Sequence, residues 1–439
     1  MERRDLRSFQ TPMEQLAVLM RRADPYALAA WVVLTTFVFE LIPGLAPLAP
    51  LAGPARYLVV LYMAAGVVLN ISVIWPTLMR SWPVFVLPAL ALASALWNAN
   101  PSASVNKFVL MIATILVGAY IATRYRPKNI ILTYFFVELV AGVLCVMNPN
   151  FGETNQGAAT GVFGHKNYFA LHMFFLYLSA LVLALDRRSS MPMRLLAFGA
   201  TGMAAYLILI SQSATTLAFV AASSSGLLFY SFVWKPASGV PHMRSLIVVF
   251  GLMLTLLAIF ILIAILHIDL YGSMLDVLGK DRTLSARTYI WAYGERVLSD
   301  NPWTGVGPGG FWNPQNGDAV SLQTTLGYKK WVQLTFHNAY LEYGVQFGYP
   351  GYFATIFFVF WAIYAAARSW FRDQSIYNAY FLFFVMLIAV RTNTETDICS
   401  DFGGSLVTLL AGAMRGMRPM QDAVAIDGPD SLWRQPPDR

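Results

Sequence analysis

The sequence predicts an all-α fold, a polytopic integral membrane bundle of about twelve transmembrane helices with one large outward loop. The first observation is composition: 57% of residues are hydrophobic, 12% are charged and mean hydropathy is +0.56. Soluble domains carry roughly 25% charged residues, so most of this surface must face lipid. The other two observations are a series of long apolar stretches and the side on which Lys and Arg fall.

Each candidate span is close to the length of about 20 apolar residues that a bilayer requires. The five before the first polar outward segment cover 26–42, 55–75, 82–97, 105–122 and 129–148. Four more cover 166–185, 194–210, 214–233 and 245–268, and the last three cover 337–366, 376–390 and 402–417.

The charge distribution sets the predicted orientation. With the N-terminus in the cytoplasm, most of the 30 Lys and Arg residues fall in inward segments, as the positive-inside rule requires. The chain then divides into a cytoplasmic segment (1–25), helices (26–268), an outward loop (269–336), further helices (337–417) and a cytoplasmic tail (418–439). No removable signal peptide is expected, because the Arg-rich start precedes a full-length span. The two cysteines are expected to be spare thiols.

The outward loop is long enough to suggest a function. Residues 284–299 are predicted to form an amphipathic helix with Ile290, Trp291, Val297 and Leu298 on one stripe, Thr283 as N-cap and a stop at Asp300-Asn301-Pro302. Arg287 near its N-terminus, with Lys280 and Arg282, suggests a clamp for a phosphate or diphosphate. The alternative is an ordinary solvated basic face.

A glycine-rich segment follows at 305–310 and contains the pattern G-x-G-x-x-G. A dinucleotide site is rejected, because no βαβ unit surrounds it and Pro308 lacks an N–H. We expect a tight turn that folds the loop back on the bundle, with Phe311 and Trp312 as an interfacial anchor.

His337 stands where the loop re-enters the membrane at the start of the tenth span. A neutral histidine there could accept a proton from a hydroxyl; the alternative is a helix-end contact with headgroups or a carbonyl. Gly344, Gly348 and Gly351 follow, and such spacing indicates close packing.

Three further outward segments are polar. They contain His165 and Lys166 at the sixth span, the turn with Ser211 and Ser213, and the acidic and basic turn with Arg391, Glu395 and Asp397. Each segment alone is more typical of a solvated turn. Their location on the same side of the membrane is stronger evidence for a functional site than any single residue. No zinc spacing, P-loop, G-x-S-x-G or outward D-x-D motif is present. Glu138 is the clearest ionisable residue within a span, which by default suggests a function.

Several runs resemble the O-antigen ligase/polymerase superfamily. They are S-A-R-x-x-x-W at 285–291, N-P-W-T-G-V-G-P-G-G-F-W at 301–312 and H-N-A-Y-L-E-Y-G-x-x-x-G at 337–348, preceded by G-V-F-G-H-K-N at 161–167 and S-Q-S-A-T-T at 211–216. The resemblance covers roughly 160–400, and the first five helices match only in general character.

The resemblance implies a bacterial inner-membrane glycosyltransferase whose active site and large loop face the periplasm. It implies Arg287 as a diphosphate-binding residue and His337 as the residue that meets the acceptor hydroxyl. The matching runs and the outward turns supply the remaining expected substrate-binding residues: Lys280, Arg282, His165, Lys166, Asn167, Ser211, Ser213, Asn338, Tyr340 and Arg391. Some ligases carry an arginine near the S-x-S turn. This chain has Ala214-Thr215-Thr216 there, so a second phosphate contact would come from Lys166, Arg282 or Arg391.

The resemblance also sets the expected partners. They are an undecaprenyl-diphosphate-linked oligosaccharide, an acceptor glycan or lipid A-core, and the bilayer, with no metal, cofactor or nucleic acid. The F-W after the glycine turn and the G-H-K-N run favour an exopolysaccharide or O-antigen polymerase over a ligase. A lipid-linked sugar flippase or other transporter and a non-catalytic scaffold remain as alternatives. A transporter would line a central path with ionisable groups.

Overall fold

The computed structural model describes residues 12–38, 49–150, 157–260 and 287–419. This part of the chain is helical and contains no β-strand, which agrees with the predicted fold class. Three predicted features lie outside the described residues: the N-cap Thr283 and the basic residues Lys280 and Arg282. The same holds for residues 269–286 of the loop and for nearly all of the tail.

The first ten helices precede the large loop. They are α1 (Pro12–Val33), α2 (Ala49–Leu69), α3 (Ile71–Arg80), α4 (Val86–Ala93), α5 (Pro101–Arg124), α6 (Pro127–Met147), α7 (Lys166–Leu185), α8 (Met191–Ile210), α9 (Ala214–Phe229) and α10 (Met243–Phe260). The loop contributes α11 (Arg287–Asp300) and α12 (Gly317–Thr325), and three helices follow it: α13 (Ala339–Arg372), α14 (Ile376–Arg391) and α15 (Gly404–Met417).

Several of these helices can cross a bilayer. Among the described residues, six are long and apolar enough, and a seventh span arises if the bent pair α2 and α3 counts as one. The chain is therefore a multi-pass membrane protein. The count of twelve stays a prediction, because the segments at 82–96, 376–391 and 404–417 are shorter than a full span.

The second predicted span, 55–75, falls on two helices rather than one. The chain bends by 97° between α2 and α3, and Asn70 at the break donates its side-chain amide to the Gly66 carbonyl at 2.8 Å. The third predicted span, 82–97, consists of a 3₁₀ turn, the short α4 and a second 3₁₀ turn. Pro83 and Pro88 in this segment lack the N–H that a continuous helix would use.

Helix α7 forms the centre of the bundle. Of its most apolar stretch, 78% is buried, and its side chains join those of α6, α8 and α14 in one apolar core. The core also holds Glu138, which is fully buried. Its carboxylate accepts from Thr36 at 2.8 Å and lies 2.9 Å from His172 Nδ1, so this ionisable side chain is paired inside the protein.

Charged side chains collect at two opposite ends of the bundle. At one end Arg124 pairs with Asp24 at 2.9 Å and Lys128 with Asp186 at 3.3 Å. At the other end Lys107 pairs with Asp401 at 2.8 Å. Lys107 and Arg124 both lie on α5, and at 1.5 Å per residue they stand roughly 25 Å apart along it. This distance approaches the thickness of a bilayer core.

The loop folds onto the start of α13 much as its pattern predicts. Helix α11 ends at Asp300, and Ile290, Val297 and Leu298 of the predicted stripe are buried in the loop's own apolar cluster. Trp291 is half-buried beside them. Helix α12 was not predicted from the sequence, and its side chains at Ala319 and Leu322 complete that cluster.

The glycine turn is confirmed. Gly305, Gly307 and Gly309 have positive φ, and Gly307 N–H donates to the Gln346 carbonyl at 2.9 Å. A Cβ on Gly307 would meet Asn98 at 2.3 Å, so only glycine fits this approach. The role of Phe311 and Trp312 as an interfacial anchor is wrong: they are 3% and 6% exposed, because they pack on Phe336 inside the loop cluster.

The tenth span begins later than predicted, at Ala339, and is kinked at Gly348, where φ is 71° and ψ is −165°. A Cβ on Gly348 would lie 2.5 Å from the Pro302 carbonyl oxygen. The small residues here therefore serve close packing, as predicted, but against the loop backbone as well as against helices.

Candidate functional site

A single carboxylate, that of Glu395, organises the charged end of the bundle near the loop. Its Oε1 accepts from Arg287 Nη2 at 2.6 Å and from Asn167 Nδ2 at 2.7 Å. Its Oε2 lies 3.2 Å from His337 Nδ1. The two residues that the sequence placed in catalysis, Arg287 and His337, are therefore partners of the same group.

Four separate segments bring these side chains together. Arg287 is the first residue of α11, Asn167 lies in the first turn of α7, and His337 immediately precedes the cap of α13. Glu395 lies in the connection between α14 and α15, where its N–H donates to the Arg391 carbonyl at 2.7 Å. Rigid helix ends thus carry three of the four groups, which favours a fixed geometry.

The backbone holds His337 in an unusual conformation with φ of 49°, in the left-handed region that non-glycine residues rarely adopt. Its N–H donates to Thr335 Oγ1 at 3.2 Å, and the next peptide is tied down because Ala339 N–H donates to the Thr392 carbonyl at 2.9 Å. Strained backbone conformations of this kind persist only where surrounding contacts hold them in place, and they are concentrated at functional sites.

One ring nitrogen of His337, Nδ1, contacts Glu395, and the other, Nε2, is available to a substrate. Its side chain is 30% exposed, against 14% for Glu395. When Nδ1 donates to the carboxylate, the lone pair of the neutral ring lies on Nε2. That nitrogen can then accept a proton from a hydroxyl group that enters the site.

The electrostatics of the site favour a charged Glu395. Burial on its own would raise the pKa of this carboxyl. The hydrogen bond with His337 and the positive charges of Arg391 and Arg287 outweigh burial and lower the pKa to about 2. Glu395 is thus an anion throughout the physiological range, and it holds the Arg287 guanidinium with a charge-assisted bond.

Of the other predicted substrate residues, His165 and Lys166 lie beside the site. Partial desolvation lowers the pKa of His165; Glu395 opposes this shift, while His337 and Lys166 reinforce it. Asn167 contacts Glu395 directly, as given above. The N-terminus of α7 therefore faces the same charged group as Arg287.

Arg391 has a different partner from the one predicted for it. It is 2% exposed and holds Asp397 through two contacts, Nε to Oδ2 at 2.6 Å and Nη2 to Oδ1 at 3.2 Å. A bidentate pair of this kind fixes the turn that carries Glu395, and its charge lowers the pKa of Glu395 as described.

The remaining predicted residues make local contacts. Ser211 Oγ donates to the Ile208 carbonyl at 2.6 Å, and Ser213 Oγ lies 3.0 Å from Thr216 Oγ1. Asn338 caps α13 by accepting from Leu341 N–H at 3.1 Å. The ring of Tyr340 packs on Tyr352 with centroids 6.0 Å apart. Lys280 and Arg282 lie outside the described residues.

Glu395 was not predicted as a site residue, because in the sequence it is only part of a polar turn. No local signal distinguishes it, since the outward loop at 269–336 holds six acidic residues beside its six basic ones. Within the described residues, no group of three His, Cys, Asp or Glu side chains is arranged to hold a metal ion.

Comparison with known proteins gives two matches. Residues 199–356 match the family model described as O-antigen ligase; this stretch includes Arg287 and His337 and ends before Glu395. The exopolysaccharide production protein ExoQ of Rhizobium meliloti (strain 1021) is 26% identical over 348 residues, which cover 75% of this chain and 76% of that protein. Both support a glycosyltransferase-like enzyme of the ligase or polymerase type. They confirm the resemblance to the O-antigen ligase/polymerase superfamily that the sequence motifs indicate.

Proposed function

We propose that this protein is a bacterial inner-membrane polymerase of exopolysaccharide or O-antigen. In this proposal it moves a glycan from undecaprenyl diphosphate to an acceptor sugar hydroxyl on the periplasmic face. The observation that best supports this proposal is that Glu395 contacts Arg287 at 2.6 Å and His337 at 3.2 Å. An anion-binding cation and a proton acceptor thus flank one carboxylate.

The proposed reaction is a single displacement. The acceptor hydroxyl oxygen attacks the anomeric carbon, the bond from that carbon to the phosphate oxygen breaks, and the hydroxyl proton passes to His337 Nε2. Undecaprenyl diphosphate leaves with the bonding electron pair, and Arg287 stabilises the charge that develops on it. Attack opposite the leaving group inverts the anomeric centre. The diphosphate is already an activated leaving group, so cationic side chains suffice and no metal is invoked.

Glu395 is assigned a positioning role. It holds the His337 ring with Nε2 available and keeps the Arg287 side chain extended toward the same point. Lys166 at the start of α7 and, outside the described residues, Lys280 and Arg282 supply further positive charge for the diphosphate.

The polymerase assignment is supported by the similarity to an exopolysaccharide production protein. The family description, O-antigen ligase, favours the second candidate, a ligase that transfers the glycan to lipid A-core. Both use the same chemistry and differ in the acceptor.

The test is complementation of a deletion strain with wild type, Arg287→Ala or His337→Ala. Arg296→Ala is the matched control, because Arg296 lies on the same helix and its pair with Asp318 is 53% and 59% exposed. We expect both site variants to abolish long polymer at wild-type levels of folded protein, and the control to keep it. Wild-type chain lengths in either site variant would contradict the proposal. Loss of glycan from lipid A-core, with polymer still on its carrier, would instead identify the ligase.

A further inference from the structure

A cavity of about 100 Å³ lies between the glycine turn and the first turns of α13. Its apolar wall consists of Phe311, Trp312 and Phe336, and its polar wall of Gln333, Glu342 and Gln346. It is separate from the Glu395 carboxylate, and the function proposed above does not use it. Aromatic rings facing two amides and a carboxylate are chemically suited to a ligand with both C–H faces and hydroxyl groups.

One buried polar atom on this wall, Gln346 Oε1, has no hydrogen-bond partner among the described residues. The indole N–H of Trp312, which is 6% exposed, faces the Glu342 carboxylate. Buried polar atoms are nearly always paired, and an exception requires an explanation. Here one acceptor is left over on the wall of the cavity.

The neighbouring groups fix the orientation of the Gln346 amide. Its Nε2 donates to Glu342 Oε1 at 3.0 Å, while Glu342 Oε2 accepts from Phe336 N–H at 3.0 Å. The amide oxygen is therefore the free end. A hydroxyl group donates one hydrogen bond and accepts others, so a hydroxyl in the cavity can donate to Gln346 Oε1.

The cavity also adjoins the catalytic histidine of the proposed mechanism. Phe336, which forms part of its wall, directly precedes His337. Its carbonyl accepts from Trp291 Nε1 at 2.8 Å and its N–H is held by Glu342. A group bound against the Phe336 ring therefore sits next to the segment that sets the position of the imidazole.

We infer that this cavity is a subsite for the edge of one sugar ring of the acceptor glycan. The ring's C–H face packs on Phe311, Trp312 and Phe336, and its hydroxyls bond to Gln333 and Gln346. The inference rests on the proposed function for the identity of the glycan. The sugar-binding chemistry of the cavity stands on its own.

The experiment has two arms that use the full-length protein in detergent. In the first, saturation-transfer NMR measures binding of methyl glucoside, methyl galactoside and N-acetylglucosamine. The variants are Gln346→Leu and Gln333→Ala; Gln333 is exposed, so its truncation leaves the fold intact. Gln315→Ala, in the same loop but away from the cavity, is the control. We expect at least one sugar to give a transfer signal that both cavity variants lose and the control keeps.

In the second arm, transfer kinetics with the lipid-linked glycan separate KM from kcat. The expected result for Gln333→Ala is a KM for the acceptor raised at least fivefold with kcat within twofold of wild type. If wild type transfers glycan and the cavity variants match it in KM and in sugar binding, the subsite is overturned while the proposed function stands. If wild type transfers nothing but binds sugars through the cavity, the proposed function fails and the sugar site stands.

Discussion

The charge of Glu395 holds together side chains from α7, α11 and the start of α13. Its pKa of about 2, against an ordinary value of 4.5, corresponds to roughly 3 kcal/mol of folding free energy at neutral pH. Because the folded pKa is depressed, this contribution is fully present above about pH 5 and is lost as pH falls toward the folded pKa.

We therefore expect Glu395→Gln to lower the thermal unfolding midpoint in detergent by an amount that is constant from about pH 5 to pH 8. The difference from wild type should shrink below about pH 4, where the native carboxylate begins to lose its advantage. Thermal unfolding followed by intrinsic fluorescence at each pH measures this. A difference that grows on acidification would show that the charge of Glu395 is not the stabilising element.

At the residue scale, the sequence identified Arg287 and His337 but not the residue that joins them. Arg287 could be found because it opens an amphipathic helix, and His337 because it follows the loop at a predicted span. Glu395 is 108 residues from Arg287 and 58 from His337. A sequence pattern within one segment cannot show a contact between residues this far apart. The Glu395 carboxylate could therefore not be distinguished from a carboxylate in an ordinary polar turn.

At the element scale, the apolar stretches predicted most helices, since length and hydropathy are local properties. The break at Asn70 was not predictable in this way, because apolar residues continue on both sides of it. Helix α12 was missed for the opposite reason: its sequence, GDAVSLQTT, has little apolar periodicity. It is held instead by Ala319 and Leu322 in the loop cluster and by the side-chain cap from Asn316.

The kink in α13 makes a prediction at this scale. Gly348→Ala places a Cβ 2.5 Å from the Pro302 carbonyl oxygen at a φ of 71°, and this strain costs at least about 2 kcal/mol. We expect a lower unfolding midpoint and reduced transfer, since the loop that carries Arg287 packs on this kink. Gly199→Ala on α8 is the control, because its Cβ would meet nothing within 4 Å. Equal stability of the two variants would refute the packing argument.

At the scale of the whole molecule, the two charged ends of the bundle are what the predicted orientation requires. Arg124 and Lys128 lie at one end, and the Glu395 site and the loop lie at the other. The sequence anticipated this segregation because positive charge alternates between successive loops. It could not anticipate that Arg124 and Lys128 are paired locally with Asp24 and Asp186.

Cysteine labelling tests the orientation. In a Cys399→Ser background, Cys145 is fully buried, so Gln315→Cys and Ser238→Cys supply exposed thiols at opposite ends. We expect a membrane-impermeant maleimide to label Gln315→Cys in intact spheroplasts and Ser238→Cys only after permeabilisation. The reverse pattern would place the loop in the cytoplasm and remove the periplasmic site from consideration.

The bond between Arg287 and Glu395 has a consequence for selectivity among anions. Without substrate, Arg287 is already bound to the Glu395 carboxylate, which any incoming anion must replace. The net binding free energy of that anion is therefore the difference between its own interaction with Arg287 and the interaction of Glu395 with Arg287. Small, weakly held anions such as inorganic phosphate should therefore be excluded, whereas a diphosphate anchored in the bilayer brings extra binding from its lipid and glycan. In the proposed reaction, the carboxylate that returns to Arg287 after transfer would help to displace the spent carrier. We expect inorganic phosphate to inhibit wild type poorly and Glu395→Gln more strongly in a transfer assay with varied phosphate. Equal inhibition constants for wild type and Glu395→Gln would show that Glu395 does not select among anions.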